Sequence, residues 1–146
     1  MMIEEFGKAQ IEDIKAIEKR YNVHLPSEYV SFLEASNGGI VGKSESNKVL
    51  IEDLNATINI DVLYGVNTGE SASNIETWME KLKEDMMEGS IIIGDDLMQG
   101  MIVMICEGEF EGIYYWDDAF QFEESTDEEN TYWIAKDFLS FLDMIR

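Results

Sequence analysis

A chain of 146 residues that is 45% apolar has the size and composition of one domain around one hydrophobic core, here residues 1–146, and wholesale disorder is excluded. Its 31 Asp and Glu against 10 Lys and Arg give a formal net charge of -21. Such a field repels phosphate backbones and anionic membranes, which argues against nucleic acid or a membrane as the direct partner. It has two readings: solubility or adaptation to the host's cytoplasm, or steering toward a basic protein.

No apolar run approaches the roughly 20 residues that a membrane helix needs. The opening MMIEEFGKAQ lacks a basic region followed by an apolar one, so no signal peptide is read and a cytoplasmic location is expected. Cys106 is the one cysteine. It excludes an internal disulfide framework and a four-cysteine zinc site. Asn55-Ala56-Thr57 spells a glycosylation sequon, read as chance in a chain without a secretory signal.

Gln10 to Tyr21 predicts a helix, with Ile11, Ile14, Ile17 and Tyr21 on one face, acids in the first turn and Lys19-Arg20 in the last. After the connector NVHL, Pro26 predicts the first turn of a second helix, which carries Tyr29, Phe32 and Leu33. Asn37-Gly38-Gly39 predicts its end, with glycine in the left-handed closing position. KVLIEDL reads as a strand, and Ile58 to Val62 alternates as a half-buried one. A third helix carries Ile75, Trp78, Met79, Leu82 and Met86, with Ser73 and Glu76 as a capping box and Gly89 as its stop.

The second half predicts strands. SIIIGDD is a run stopped by Gly94 and two aspartates. Met101 to Cys106 is apolar on both faces and predicts a central, covered strand. Past the turn EGEFEG, Ile113 to Trp116 predicts its antiparallel partner, stopped by Asp117-Asp118. Phe120-Gln121-Phe122 extends a further strand, STDEEN is an acidic loop, and a last helix begins near Ala135 with Phe138, Phe141, Leu142 and Ile145 on one face. Helices and strands do not alternate one for one. The expected class is therefore α+β, with a mostly antiparallel sheet.

Candidate chemistry is thin. His24 is the only histidine, so no multi-histidine metal site can form, and no nucleophile signature accompanies it. Cys106 lies in an apolar run beside Glu107, the opposite of the positive setting that makes a reactive thiolate. The carboxylate pairs Asp95-Asp96, Glu107 with Glu109 and Glu111, Asp117-Asp118 and Glu123-Glu124 could serve a divalent ion or acid–base work. Pairs also arise by composition in so acidic a chain. None has the spacing of a calcium-binding loop, and no glycine-rich phosphate loop is present. Tyr114, Tyr115, Trp116, Phe120 and Phe122 lack the Lys and Arg of a nucleic-acid platform. They read as core plus an outward face.

Taken together, IEDIKAIEKRYNVHLPSEYVSFLEASNGG resembles the opening of the Smi/Knr family of the SUKH superfamily. The matching positions are Ile14, Ile17, Glu18, Leu25, Pro26, Tyr29, Phe32, Leu33, Asn37, Gly38 and Gly39. IIIGDDLMQGMIVMIC, with Gly94 and Gly100, is similar to the family's strand, Gly-Asp turn and next strand. GIYYWDDA resembles its glycine-aromatic strand, and WIAKDFLSFLDMI, with Ala135, Phe138 and Phe141, its closing helix. Asp118 stands where the family often has a histidine. The resemblance implies a single curved sheet with helices on its face and ends, no catalytic centre and no cofactor. Bacterial members commonly bind and neutralise toxins, many of them nucleases. Fungal members regulate cell-wall synthesis through protein contacts. The matched residues read as framework.

The leading expectation is a non-catalytic protein that covers a basic toxin domain. Asp95, Asp96, Asp117 and Asp118 are its expected contacts and Trp116 its anchor. The alternatives are a regulatory scaffold linked to cell-wall or glucan synthesis, a small-ligand module using the groove of the sheet, and an enzyme using paired carboxylates.

Overall fold

The computed structural model describes residues 3–41 and 47–145. Helix α1 (Ile11–Tyr21) buries Ile14 and Ile17 and carries Glu12 and Asp13 in its first turn, Lys19 and Arg20 in its last. Glu18 ties it to the connector beyond: its Oε2 accepts from the Leu25 amide at 2.9 Å. Pro26 is the N-cap of α2 (Ser27–Ser36), one position before the first helical residue.

α2 closes on Asn37 at φ 54°, so asparagine and not glycine takes the left-handed position. The Asn37 side chain is buried; its Nδ2 donates to the Val66 carbonyl at 2.9 Å, and its Oδ1 accepts from the Val66 amide at 2.8 Å. An asparagine tolerates the left-handed backbone and here also pins a distant loop. Gly38 follows at φ 79°, where an added Cβ would overlap the Leu63 carbonyl oxygen. Two requirements, torsion and space, select glycine there.

Among the described residues the strands are β1 (Glu4–Glu5), β2 (Gly39–Ile40), β3 (Lys48–Ile51), β4 (Ala56–Leu63), β5 (Ser90–Asp96), β6 (Met101–Ile105), β7 (Gly112–Trp116) and β8 (Thr131–Ala135). They form one open sheet in the order β1-β2-β4-β5-β6-β7-β8, with β3 paired to β4. Every strand pair is antiparallel. β2 and β3 meet successive parts of β4, Gly39 opposite Leu63 and Lys48 opposite Asn59. The sheet curls enough to bring β3 against β8. The α+β, mostly antiparallel class holds.

Four local expectations are corrected. Thr131–Ala135 is a strand, and α4 (Phe138–Met144) starts only after Asp137, whose side chain accepts from the Ser140 amide at 2.8 Å. Phe120 to Phe122 is loop. β5 does not stop at Gly94: it runs through Asp96, and the glycine sits at a bulge between Ile92 and Gly94. α3 (Ile75–Leu82) is capped by Asn74; Ser73 ends a preceding 3-10 turn (Ser71–Ser73), and Gly89 lies beyond a second such turn (Lys83–Asp85).

The core lies between the sheet and α1, α2 and α4. Tyr29 of α2 meets Phe138 of α4 edge-on at 4.7 Å, with Phe32 half-buried beside them. Side chains alternate along a strand. Met104 and Ile113, on the face toward Pro26 and Phe138, thus leave Val103 and Tyr114 on the other. α3 lies along β5 and is tied to α1 by the Arg20–Glu76 ion pair and by Tyr21 Oη donating to Glu80 at 2.7 Å.

Candidate functional site: an acidic strand end and an open sheet face

The turn from β5 to β6 and the loop leaving β7 depart from one end of the sheet, because Met101 pairs with Trp116. The expected contacts Asp95, Asp96, Asp117, Asp118 and Trp116 gather here, but they do not form one outward acidic edge. Asp117 is fully buried. Its Oδ1 accepts from the Gln121 amide at 2.8 Å, and its Oδ2 from the Phe122 amide at 2.9 Å and the Ser125 hydroxyl at 2.6 Å. Asp96 is buried; its Oδ1 accepts from the Gly100 amide at 2.7 Å and the Tyr115 hydroxyl at 3.3 Å. Burial raises the Asp96 pKa, against the pull of those bonds.

Asp95 is half-buried, and both its oxygens are engaged: Oδ1 accepts from the Val62 amide at 3.1 Å and Oδ2 from the Tyr64 hydroxyl at 2.5 Å. Burial pushes it up to about 6. Trp116 is largely buried. The expectation of direct contact is therefore corrected for Asp96 and Asp117, and Trp116, only 8% exposed, is not an anchor standing out at this edge. A short carboxylate at the end of a strand is drawn in to satisfy the amides of the turn it starts. Asp118 is exposed.

The side chains that these buried acids hold outward are apolar. The β5–β6 turn exposes Leu97 (52%) and Met98 (56%), and the loop after β7 exposes Phe120 (48%). Phe120 has φ 52°, uncommon for a bulky side chain and sustained only where the surroundings fix it. Asp117 supplies that fixing through the next two amides. Sequence patterning missed Leu97 and Met98, since isolated apolar side chains in polar turns carry no periodicity; Phe120 was among the aromatics read as core plus an outward face. Their position between buried-aspartate turns is the signal.

The second feature is a groove of about 190 Å³ on the outer face of β5, β6 and β7. Ser90, Val103, Ile105, Tyr114 and Trp116 floor it; Asp85, Met86 and Met87 wall one side and Asn130 and Thr131 the other. Trp133, opposite Tyr114 on β8 and 37% exposed, extends this face. So the slight exposure left to Trp116 opens into the groove.

The two side chains first suspected of chemistry are poorly placed for it. His24 is almost wholly exposed, 3.8 Å from Glu18. Burial pushes the Cys106 thiol up to about 12, with Glu107 adding to the shift. Among the described residues no group of three or more His, Cys, Asp or Glu could hold a metal ion, and no helix is long and apolar enough to cross a membrane. A larger cavity, about 500 Å³, lies between the β6–β7 hairpin and the starts of α2 and α4. Its polar lining includes Glu28, Glu109, Glu111, Lys136 and Asp137.

The model of the SMI1 / KNR4 family (SUKH-1) matches residues 8–144, nearly the whole chain. The chain belongs to the SMI1/KNR4 family. No curated protein matches it individually. Family membership points to an immunity-type or regulatory role with protein partners, in a group that is generally non-catalytic. In this SUKH-1 protein the matched sequence positions have structural work. Glu18 and Leu25 join α1 to α2, and Pro26 starts α2. Tyr29, Phe32 and Phe138 fill the core, Asn37 and Gly38 close α2, and Gly39 opens β2. Gly94 sits at the β5 bulge, and Gly100 lies flat against the buried Tyr115 ring.

Proposed function

We propose that this SUKH-1 protein is a non-catalytic, cytoplasmic immunity protein that neutralises a basic toxin domain, of nuclease type, by covering its cationic cleft. One observation carries the reading: turns pinned by buried Asp96 and Asp117 project Leu97, Met98 and Phe120 from an acidic stretch of the chain. Between Lys83 and Lys136 the chain has no Lys or Arg, while it holds about half of its 31 acids. Apolar anchors ringed by charge of one sign are the make-up of a specific interface with an oppositely charged partner. Enzymes that act on nucleic acid carry such a basic cleft.

The test is co-expression with the C-terminal domain of any secreted toxin that an adjoining gene encodes. The wild-type chain protects cells and co-purifies with the toxin; the triple variant Leu97→Ser, Met98→Ser, Phe120→Ser stays folded and loses protection. Full protection by a folded triple variant refutes the surface. A second reading, a small-ligand module, is favoured by the 500 Å³ cavity, which falls in the roughly 300–1,000 Å³ range of ligand sites. Its acidic lining calls for a cationic ligand. Thermal stabilisation by spermidine, lost in Glu109→Gln/Glu111→Gln, tests it.

A further inference from the structure

We propose that the groove on the open face of β5–β7 is the seat of one arginine side chain supplied by the basic partner. This rests on the reading above and adds which surface and which residue type complete the contact. At about 190 Å³ the groove is smaller than the roughly 300 Å³ at which small-molecule sites begin. It suits a side chain, not a metabolite.

Its chemistry selects among side chains. The floor offers two aromatic rings, Tyr114 and Trp116, beside Val103 and Ile105. The Tyr114 ring is held in place, since its hydroxyl donates to the Phe110 carbonyl at 2.7 Å. Asp85 stands on the wall, and none of the lining residues is basic. An apolar occupant would gain nothing from the exposed Asp85 carboxylate at the wall. A basic one satisfies it. Arginine fits better than lysine: its planar, weakly hydrated guanidinium stacks on an aromatic face and forks to a carboxylate, while its methylenes cover Val103 and Ile105. The thioethers of Met86 and Met87 can adjust around the stem.

Hexa-arginine and hexa-lysine peptides, titrated into the ¹⁵N-labelled full chain at 0.1 M salt, test this. Hexa-arginine should move the Trp116 indole and the Val103 and Tyr114 amides saturably and bind two- to five-fold tighter than hexa-lysine, the size of an exposed cation–π preference. Tyr114→Leu should erase that preference, and Asp85→Asn should weaken hexa-arginine several-fold, both with unchanged melting temperatures. Shifts confined to the 123–129 loop, with groove signals still, overturn the groove and leave the basic-partner reading standing. Failure of both peptides to bind at low salt overturns that reading itself, and the groove with it.

Discussion

Replacing Asp117 with alanine separates an internal brace from a surface contact. The carboxylate is fully buried and accepts from two backbone amides, Gln121 and Phe122, and from Ser125 Oγ. Hydrogen bonds to a charged group contribute about 1.5–3 kcal/mol each. Gln121 is exposed and its amide can rehydrate, and Ser125 keeps Tyr132 at 2.8 Å, so the low end applies to the two amides and little to the hydroxyl. The expected loss is about 3 kcal/mol, roughly 6–12 °C in melting temperature for a chain of this size. Asp117→Asn keeps an acceptor and should lose about half as much. Urea unfolding at pH 7 measures both. If alanine costs under about 0.5 kcal/mol, the size of an ordinary surface change, or weakens partner binding with stability intact, Asp117 is not a brace and the loop is held by other contacts.

Neighbouring groups give further expected outcomes. Asp95, pushed up to about 6 by burial, binds its proton more tightly folded than unfolded, where a carboxyl titrates near 4. Stability from this group is therefore present below about pH 4 and is lost as pH rises through 6, by about 2 kcal/mol after discounting for partial exposure. Unfolding free energies measured at pH 4 and pH 7 should show a loss about 2 kcal/mol larger in the wild type than in Asp95→Asn. Gly100→Ala should cost about 2–3 kcal/mol, because the new methyl overlaps the ring of Tyr115, which is fully buried and cannot swing away; calorimetry reads it. Cys106, with its thiol pushed up to about 12, should resist a disulfide reagent at pH 8 until the chain is unfolded. Prompt labelling of the native protein would contradict its burial.

The parts of the fold legible in the sequence were those with periodicity or punctuation. α1 carries Ile14 and Ile17 at helical spacing, and Met101–Ile105 is apolar throughout and buried at every position. β1 and β2, two residues each, are too short to show a pattern; they exist because the sheet edge offers partners. Thr131–Ala135 was hidden by the acidic run before it and by the apolar helix after it, although Tyr132, Trp133 and Ile134 are good strand residues. At the candidate site the sequence pointed to strand-end aspartates that the fold does bring to one end of the sheet, but not to which side chains face outward there. Aspartates after a strand look like a charged rim, yet here the tertiary arrangement turns Asp96 and Asp117 inward to hold amides and turns Leu97, Met98 and Phe120 outward. Only the fold could reveal that exchange.

Whether this acidic end of the sheet engages a basic protein is decided by stopped-flow association with the toxin domain that co-expression identifies as its partner. The on-rate should fall at least about ten-fold between 20 and 300 mM salt. The off-rate should rise in the Leu97→Ser, Met98→Ser, Phe120→Ser variant while the on-rate holds. A salt-independent on-rate together with an unchanged off-rate in that variant would contradict the proposed engagement.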